Sequence, residues 1–149
     1  MANILVVVGS PRKGGNTEIL LSRIAEGAAS AGTSVETIHL GDLQIRECDG
    51  CHACWRGRRC SKDDDMTDAY SLIQSSDVLV IGSPIYMGVE TGMTKCFVDR
   101  LYYLMARKRL LPGKRAAALF TCGLSDGHMV YGYMHGRYEA ALARFSAAE

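Results

Sequence analysis

Four thiols fall within thirteen residues, at Cys48, Cys51, Cys54 and Cys60. Three cysteines at successive x2 spacing let a short loop wrap one iron-sulfur cubane, and Cys60 can ligate the fourth iron. The same donors satisfy a tetrahedral zinc ion, although zinc motifs more often use two cysteine pairs set well apart. A redox-active thiol loop without metal is the third reading. Arg46, Arg56, Arg58, Arg59 and Lys62 surround the thiols. Their charge favours thiolates, offsets that of a ligated cluster or docks an acidic redox protein; a solvated basic loop is the plainer alternative. His52 reads as a surface residue, and Trp55 as a cover or anchor of the loop. Cys96 and Cys122 are expected to pack, Cys122 being a minor redox candidate, and His39, His128 and His135 share no ligand spacing.

A second constellation is Gly9-Ser10-Pro11-Arg12-Lys13-Gly14-Gly15-Asn16-Thr17. It joins an apolar run to a helical pattern, where backbone amides and the helix dipole hold anions. Ser10, Asn16 and Thr17 bring hydrogen-bonding groups and Arg12 a charged fork. The Gly9-x4-Gly14 spacing superficially matches a nucleoside-triphosphate loop. Gly15 and Asn16 stand where that loop needs lysine and a hydroxyl, so no group serves a terminal phosphate or magnesium. G-x-G-x-x-G is absent, which disfavours a dinucleotide over this turn. One terminal phosphate is the remaining ligand, with a purely structural turn as the alternative.

Two further loops carry ring-binding chemistry. In Ser83-Pro84-Ile85-Tyr86-Met87-Gly88, a rigid proline, an aromatic ring and a permissive glycine suit a flat heterocycle. Thr121-Cys122-Gly123-Leu124-Ser125-Asp126-Gly127 supplies a second polar wall. Either alone is an ordinary turn.

These loops need a frame. Ile4 to Val8 is a β-branched and aliphatic run, as expected of a strand buried on both faces of a parallel sheet. From Asn16 the spacing turns helical, with Leu20, Leu21, Ile24 and Ala28 predicted on one face and Gly32 at the exit. Val35–Leu40 reads as a second strand, and residues 41–62 as a long functional loop. Asp63, Asp64 and Asp65 suit a helix N-terminus whose apolar stripe is Met66, Ala69, Tyr70 and Ile73. Asp77–Gly82 is a third strand, and Met93, Phe97, Leu101 and Leu104 recur at helical spacing. Arg115–Cys122 is a fourth strand, and Met129–Phe145 a last helix.

Strands alternating with helices predict an α/β fold, a three-layer sandwich with helices on both faces of a parallel sheet. In the flavodoxin-like order 2-1-3-4-5, ligands bind where connections leave in opposite directions, beside the loops after strands one and three. A fifth edge strand is not found before Glu149. The sheet is then four-stranded, or is completed by a partner or by residues beyond this sequence.

The 149 residues suit one domain, 1–149, with the cysteine loop as an insert at about 41–62. A net charge of +1 provides no field for a nucleic-acid backbone. Ile4 to Val8 is too short to span a bilayer and lacks a basic leader, so a cytoplasmic location and no membrane partner are expected. Six cysteines in that reducing compartment argue against a disulfide framework.

GSPRKGGNT, SPIYMG with the following Lys95 and Asp99-Arg100 helix, the TCG turn and the cysteine spacing together resemble the iron-sulfur flavoproteins of the NADPH-dependent FMN reductase family. The resemblance covers most of the chain. It implies FMN phosphate on Ser10, Arg12, Asn16 and Thr17, and the isoalloxazine against Pro84, Ile85, Tyr86, Met87 and Gly88 and near Gly123, with Thr121 and Asp126 on the facing wall. It also implies a [4Fe-4S] cluster on Cys48, Cys51, Cys54 and Cys60, a ferredoxin or NAD(P)H as electron donor, a small-molecule or protein acceptor, and a homo-oligomer. FMN would carry the redox chemistry, so no side chain need act as acid or base. Two other functions fit the same residues: an NAD(P)H-dependent FMN or quinone reductase with a structural cysteine loop, and a flavodoxin-like electron carrier.

Overall fold

A computed structural model describes residues 2–107, 113–123, 125 and 128–146. Its elements run β1 (Asn3–Val8), α1 (Asn16–Ser30), β2 (Ser34–His39), α2 (Met66–Ser75), β3 (Val78–Tyr86), β4 (Val89–Glu90), α3 (Gly92–Arg100), α4 (Tyr102–Ala106), β5 (Arg115–Thr121) and α5 (Met129–Ser146). Parallel pairing gives the order β2-β1-β3-β5, with Val8 opposite both His39 and Gly82, and Pro84 opposite Thr121. The two residues of β4 pair antiparallel with Ile85 and Tyr86. Helices on both faces make the expected three-layer α/β sandwich. Among the described residues no strand pairs with the outer edge of β5, and no helix is long and apolar enough to cross a membrane.

The two faces of the sheet follow from alternation along β1. Leu5 and Val7 point into the larger core with Met66, Ala69, Tyr70, Ile73, Phe97, Leu101, Leu104, Met134 and Tyr138. Val6 and Val8 pack on the opposite face with Leu21 and Val80. All four residues of the predicted α2 stripe are buried.

Three local expectations are corrected. Leu20 and Ile24 lie 46% and 39% exposed, and the inward residues of α1 are Thr17 and Leu21. The helix is rotated because the Thr17 hydroxyl bonds that of Thr121 at 2.7 Å, pinning its first turn to the end of β5. Strand three does not end at Gly82 but runs to Tyr86. β1 has finished by then, so Pro84 faces no ladder partner on that side and its missing N–H costs nothing. The helix predicted through Leu101 and Leu104 is broken at Leu101 into α3 and α4. The Tyr70 hydroxyl donates to the Arg100 carbonyl at 2.9 Å, while the Leu104 N–H bonds Leu101 rather than Arg100.

The β1 and β3 ends approach closely at Gly9, whose N–H donates to the Gly82 carbonyl at 2.7 Å. The Gly9 carbonyl accepts from the hydroxyls of Thr91 and Thr94 at 2.7 and 3.2 Å. A Cβ added at Gly9 would sit 1.9 Å from Thr94 Oγ1 and 2.8 Å from the Gly82 oxygen. Gly9→Ala is therefore expected to destabilise the chain by about 1–3 kcal/mol through overpacking. A urea midpoint equal to wild type would refute this.

Candidate functional site

Above the C-terminal ends of β1, β3 and β5 lies an open cleft of about 360 Å³. Its walls include Ser10, Arg12, Asn16 and Thr17 from the first loop, Pro84, Ile85 and Tyr86 from the end of β3, and Thr121 and Gly123 from the end of β5. Nine of the twelve residues predicted to hold a flavin thus meet at one place, joined by Gly15 and Cys122. Met87 and Gly88 do not line the cleft; they form the tip of the β3–β4 hairpin, with φ of 50° and 86° as in a tight two-residue hairpin turn. Asp126 lies outside the described residues.

The phosphate end is built from the backbone. Gly15 caps α1 without a side-chain hydrogen bond, so the first-turn amides keep no side-chain acceptor of that kind. Ser10 Oγ accepts the Arg12 N–H at 3.2 Å and folds the loop back on itself. Glu18 takes the Gly14 N–H at 2.7 Å, and Lys13 pairs with Asp42 at 2.8 Å. Among the described residues Arg12 has no carboxylate partner. An uncapped helix N-terminus beside an uncompensated guanidinium fits a monoester phosphate. The ring end is stiffened from behind, where the buried Ser83 hydroxyl accepts the Thr91 N–H at 3.0 Å and donates to the Pro84 carbonyl at 2.9 Å.

The four predicted cysteines also share a cavity, without converging on one point. Cys48, Cys51, Cys54 and Cys60 line one cavity, with Arg100, Tyr70, Tyr102 and Tyr103 as its protein-side wall. After a short 3-10 turn at Leu40–Asp42, residues 43–65 reach this arrangement through backbone capture rather than regular structure. Asp65 accepts the Gln44 N–H at 2.6 Å, and Asp64 accepts the Arg46 N–H at 3.0 Å. Asp49 accepts the Cys51 N–H at 3.2 Å and pairs with Lys62 at 2.8 Å. Hydrogen bonding from Lys62, then from Cys51, draws the Asp49 carboxyl down to about 2. Arg56 donates to the Cys51 carbonyl at 2.6 Å, and Trp55 rests edge-on against Tyr102 at 5.5 Å. The basic loop is thus partly structural: Arg46, Arg56 and Lys62 brace it. His52 takes φ 55°, a left-handed turn between Cys51 and Cys54.

Behind the cavity sits a buried ion pair. Arg100 donates two bonds to Asp64, at 2.7 and 3.0 Å, a third to the Arg46 carbonyl at 2.9 Å, and a longer one to Cys60 Sγ at 3.5 Å. Burial works against the charge on each partner. The bonds between them, together with the other hydrogen bonds and charges around each, outweigh it, holding Asp64 below the usual carboxylate range and Arg100 above its ordinary value. Neither residue was singled out from sequence for this role, since partners 36 positions apart leave no local signal. Thr91 was legible in principle: it caps α3 by accepting the Thr94 N–H, the T-x-x start of a helix.

Among the described residues no three Cys, His, Asp or Glu side chains converge as they would on one metal ion. The thiols instead stand around a cavity wall. Four soft donors on a short loop match an iron-sulfur ligand set.

Residues 2–134 match the family model described as NADPH-dependent FMN reductase. An iron-sulfur flavoprotein of Archaeoglobus fulgidus is 39% identical over 131 residues, 88% of this chain and 64% of its own. One from Methanosarcina thermophila is 31% identical over 121 residues, 81% of this chain and 63% of its own. The chain thus spans about three fifths of the length of these curated relatives. The solved structure of a flavodoxin, WrbA-like protein from Agrobacterium tumefaciens superposes with a TM-score of 0.64 at 16% identity. It covers 97% of this chain and 74% of that one, a likeness of fold alone.

Proposed function

Because the chain belongs to the NADPH-dependent FMN reductase family, we propose that it is a flavin-dependent oxidoreductase relaying electrons between a [4Fe-4S] cluster and FMN. The observation that carries the cluster half is the meeting of all four thiols on one cavity. FMN is assigned to the cleft between the first loop, the end of β3 and the end of β5. Bound there, FMN accepts and returns electrons singly or in pairs, whereas a cluster passes one at a time.

The chain's own residues then have distinct tasks. The α1 amides, Arg12, Ser10, Asn16 and Thr17 hold the phosphate. The Thr17–Thr121 bond fixes the distance between the two walls of the cleft. Pro84, Ile85 and Tyr86 present a rigid face to the ring, and Gly123 leaves the opposite side open. Cys48, Cys51, Cys54 and Cys60 hold the cluster; their successive x2 spacing suits a cubane better than zinc, whose motifs more often use two separated pairs. We place the protein in the cytoplasm as a single-domain chain acting as a homo-oligomer. A ferredoxin or NAD(P)H serves as donor, and a small molecule or a protein as acceptor.

Anaerobic purification followed by an absorption spectrum with iron, sulfide and zinc analysis tests this reading. Iron and sulfide near four each per flavin are expected from the cubane assignment. Full flavin occupancy without metal would overturn the cluster, and absence of any affinity for FMN would overturn the whole. A second reading is direct reduction by a nicotinamide, with the cysteine loop structural; rapid flavin bleaching on anaerobic mixing with NADPH would favour it.

The phosphate assignment makes its own prediction. Arg12→Met is expected to weaken FMN binding about ten- to a hundredfold, following the roughly 1.5–3 kcal/mol of a charged hydrogen bond. Riboflavin, lacking the phosphate, should bind both proteins alike. An equal loss for the two flavins, measured by fluorescence titration, would move Arg12 away from the phosphate.

A further inference from the structure

Arg100 spends most of its donors and keeps one. Its two terminal nitrogens serve Asp64, the Arg46 carbonyl and Cys60 Sγ. Its Nε–H is buried and has no hydrogen-bond partner among the described residues. The whole residue is 2% exposed, yet it lines the cavity shared by the four cysteines. A buried donor left unmet is costly, and this one belongs to a guanidinium that already reaches Cys60 Sγ, so an acceptor at that corner would complete its bonding. Sulfur in a ligated cluster, whether cysteine thiolate or inorganic sulfide, is such an acceptor.

We propose that Arg100 is a positioning residue for the cluster, its guanidinium donating N–H···S bonds at the Cys60 corner and raising the cluster's reduction potential. The inference rests on the cluster reading above. Adding one electron makes the cluster more negative without breaking a bond, and a fixed positive fork beside one ligand favours that more negative state. Asp64 does not act on the sulfur. It grips the fork at two points and prevents it from turning. Lysine cannot replace this arrangement, because an ammonium has no planar pair of donors to divide between a carboxylate and a thiolate. Three ligands lie on a loop held by backbone capture, whereas Cys60 meets a side chain anchored in the core. The inference therefore makes the Cys60 corner electronically different from the other three.

Two variants of the reconstituted holoprotein test it, Arg100→Lys and the paired Arg100→Gln with Asp64→Asn. The paired change removes both charges together and leaves no buried ion alone. Cluster potential is read by a mediated titration with a chemical reductant, Fe–S stretching by resonance Raman, and FMN potential in the same samples. Both variants should lower the cluster's reduction constant, the paired one about tenfold, or 59 mV for one electron. Fe–S stretches should shift while the FMN potential stays put. Loaded variants with wild-type cluster potential and unchanged stretches would reduce Arg100 to a structural partner of Asp64. Wild-type protein that takes up no iron and sulfide would instead overturn the reading beneath the inference.

Discussion

Asp64→Ala is expected to destabilise the chain by about 3–5 kcal/mol, the cost of breaking a buried ion pair from one side. The side chains of Asp64 and Arg100 are 3% and 1% exposed, so the orphaned guanidinium could not recover its loss by hydration. Asp64 also accepts the N–H groups of Arg46 and Met66, at 3.0 and 3.3 Å. Its removal therefore frees the loop before the cysteines and the first turn of α2 together. Urea unfolding measures the effect as a lowered midpoint at constant slope. The control is Asp42→Ala, which breaks only the exposed pair with Lys13, whose side chains are 71% and 51% exposed. It should leave the urea midpoint essentially where it is in the wild type. Equal effects from the two substitutions would refute the account of the buried pair.

The same residue gives a pH dependence of known sign. Burial pushes its folded pKa up, but the hydrogen bonds from Arg100, Arg46 and Met66 and the Arg100 charge together outweigh this and hold it below the unfolded value. Its contribution is then fully present above about pH 4, near the ordinary aspartate value, and is lost as pH falls through the folded value. Asp64→Asn should lose that part of the acid slope, because nothing at this position can then take up a proton.

How much of this could be read beforehand depends on how local each signal is. The β1 run, the glycine-rich first loop and the α2 stripe are contiguous patterns, and each fell where the structure has it. The convergence of the three loops proposed to hold a flavin was legible because an α/β sheet gathers the C-terminal ends of its strands on one edge, whatever the detailed packing. The rotation of α1 was not legible. Leu20 and Ile24 are as apolar as Leu21, and what turns them outward is a hydroxyl pair between residues 104 positions apart. The break at Leu101 has the same character, since the group that takes the Arg100 carbonyl is Tyr70 on another helix. Asp63, Asp64 and Asp65 looked like three equivalent capping residues. Only the fold singles out Asp64, by burying Arg100 against it.

Cys54→Ser is expected to abolish most iron and sulfide binding while leaving FMN affinity within about twofold of wild type. Serine offers a harder, shorter ligand than thiolate, so a soft-metal site built on Cys54 is weakened at once. The flavin half should not notice, because the thiol cavity and the cleft share no lining residue. The cleft is tied instead across β1, β3 and β5, by Gly9 to Gly82, Ser83 to Thr91 and Thr17 to Thr121. None of these bonds touches residues 41–65. Metal analysis and FMN titration on one anaerobic preparation read both halves. One zinc per chain without sulfide in the wild type, lost in the variant, would give the loop a structural ion. Loss of FMN together with iron would mean that the loop supports the cleft more strongly than its exposed Lys13–Asp42 tie to the phosphate loop suggests.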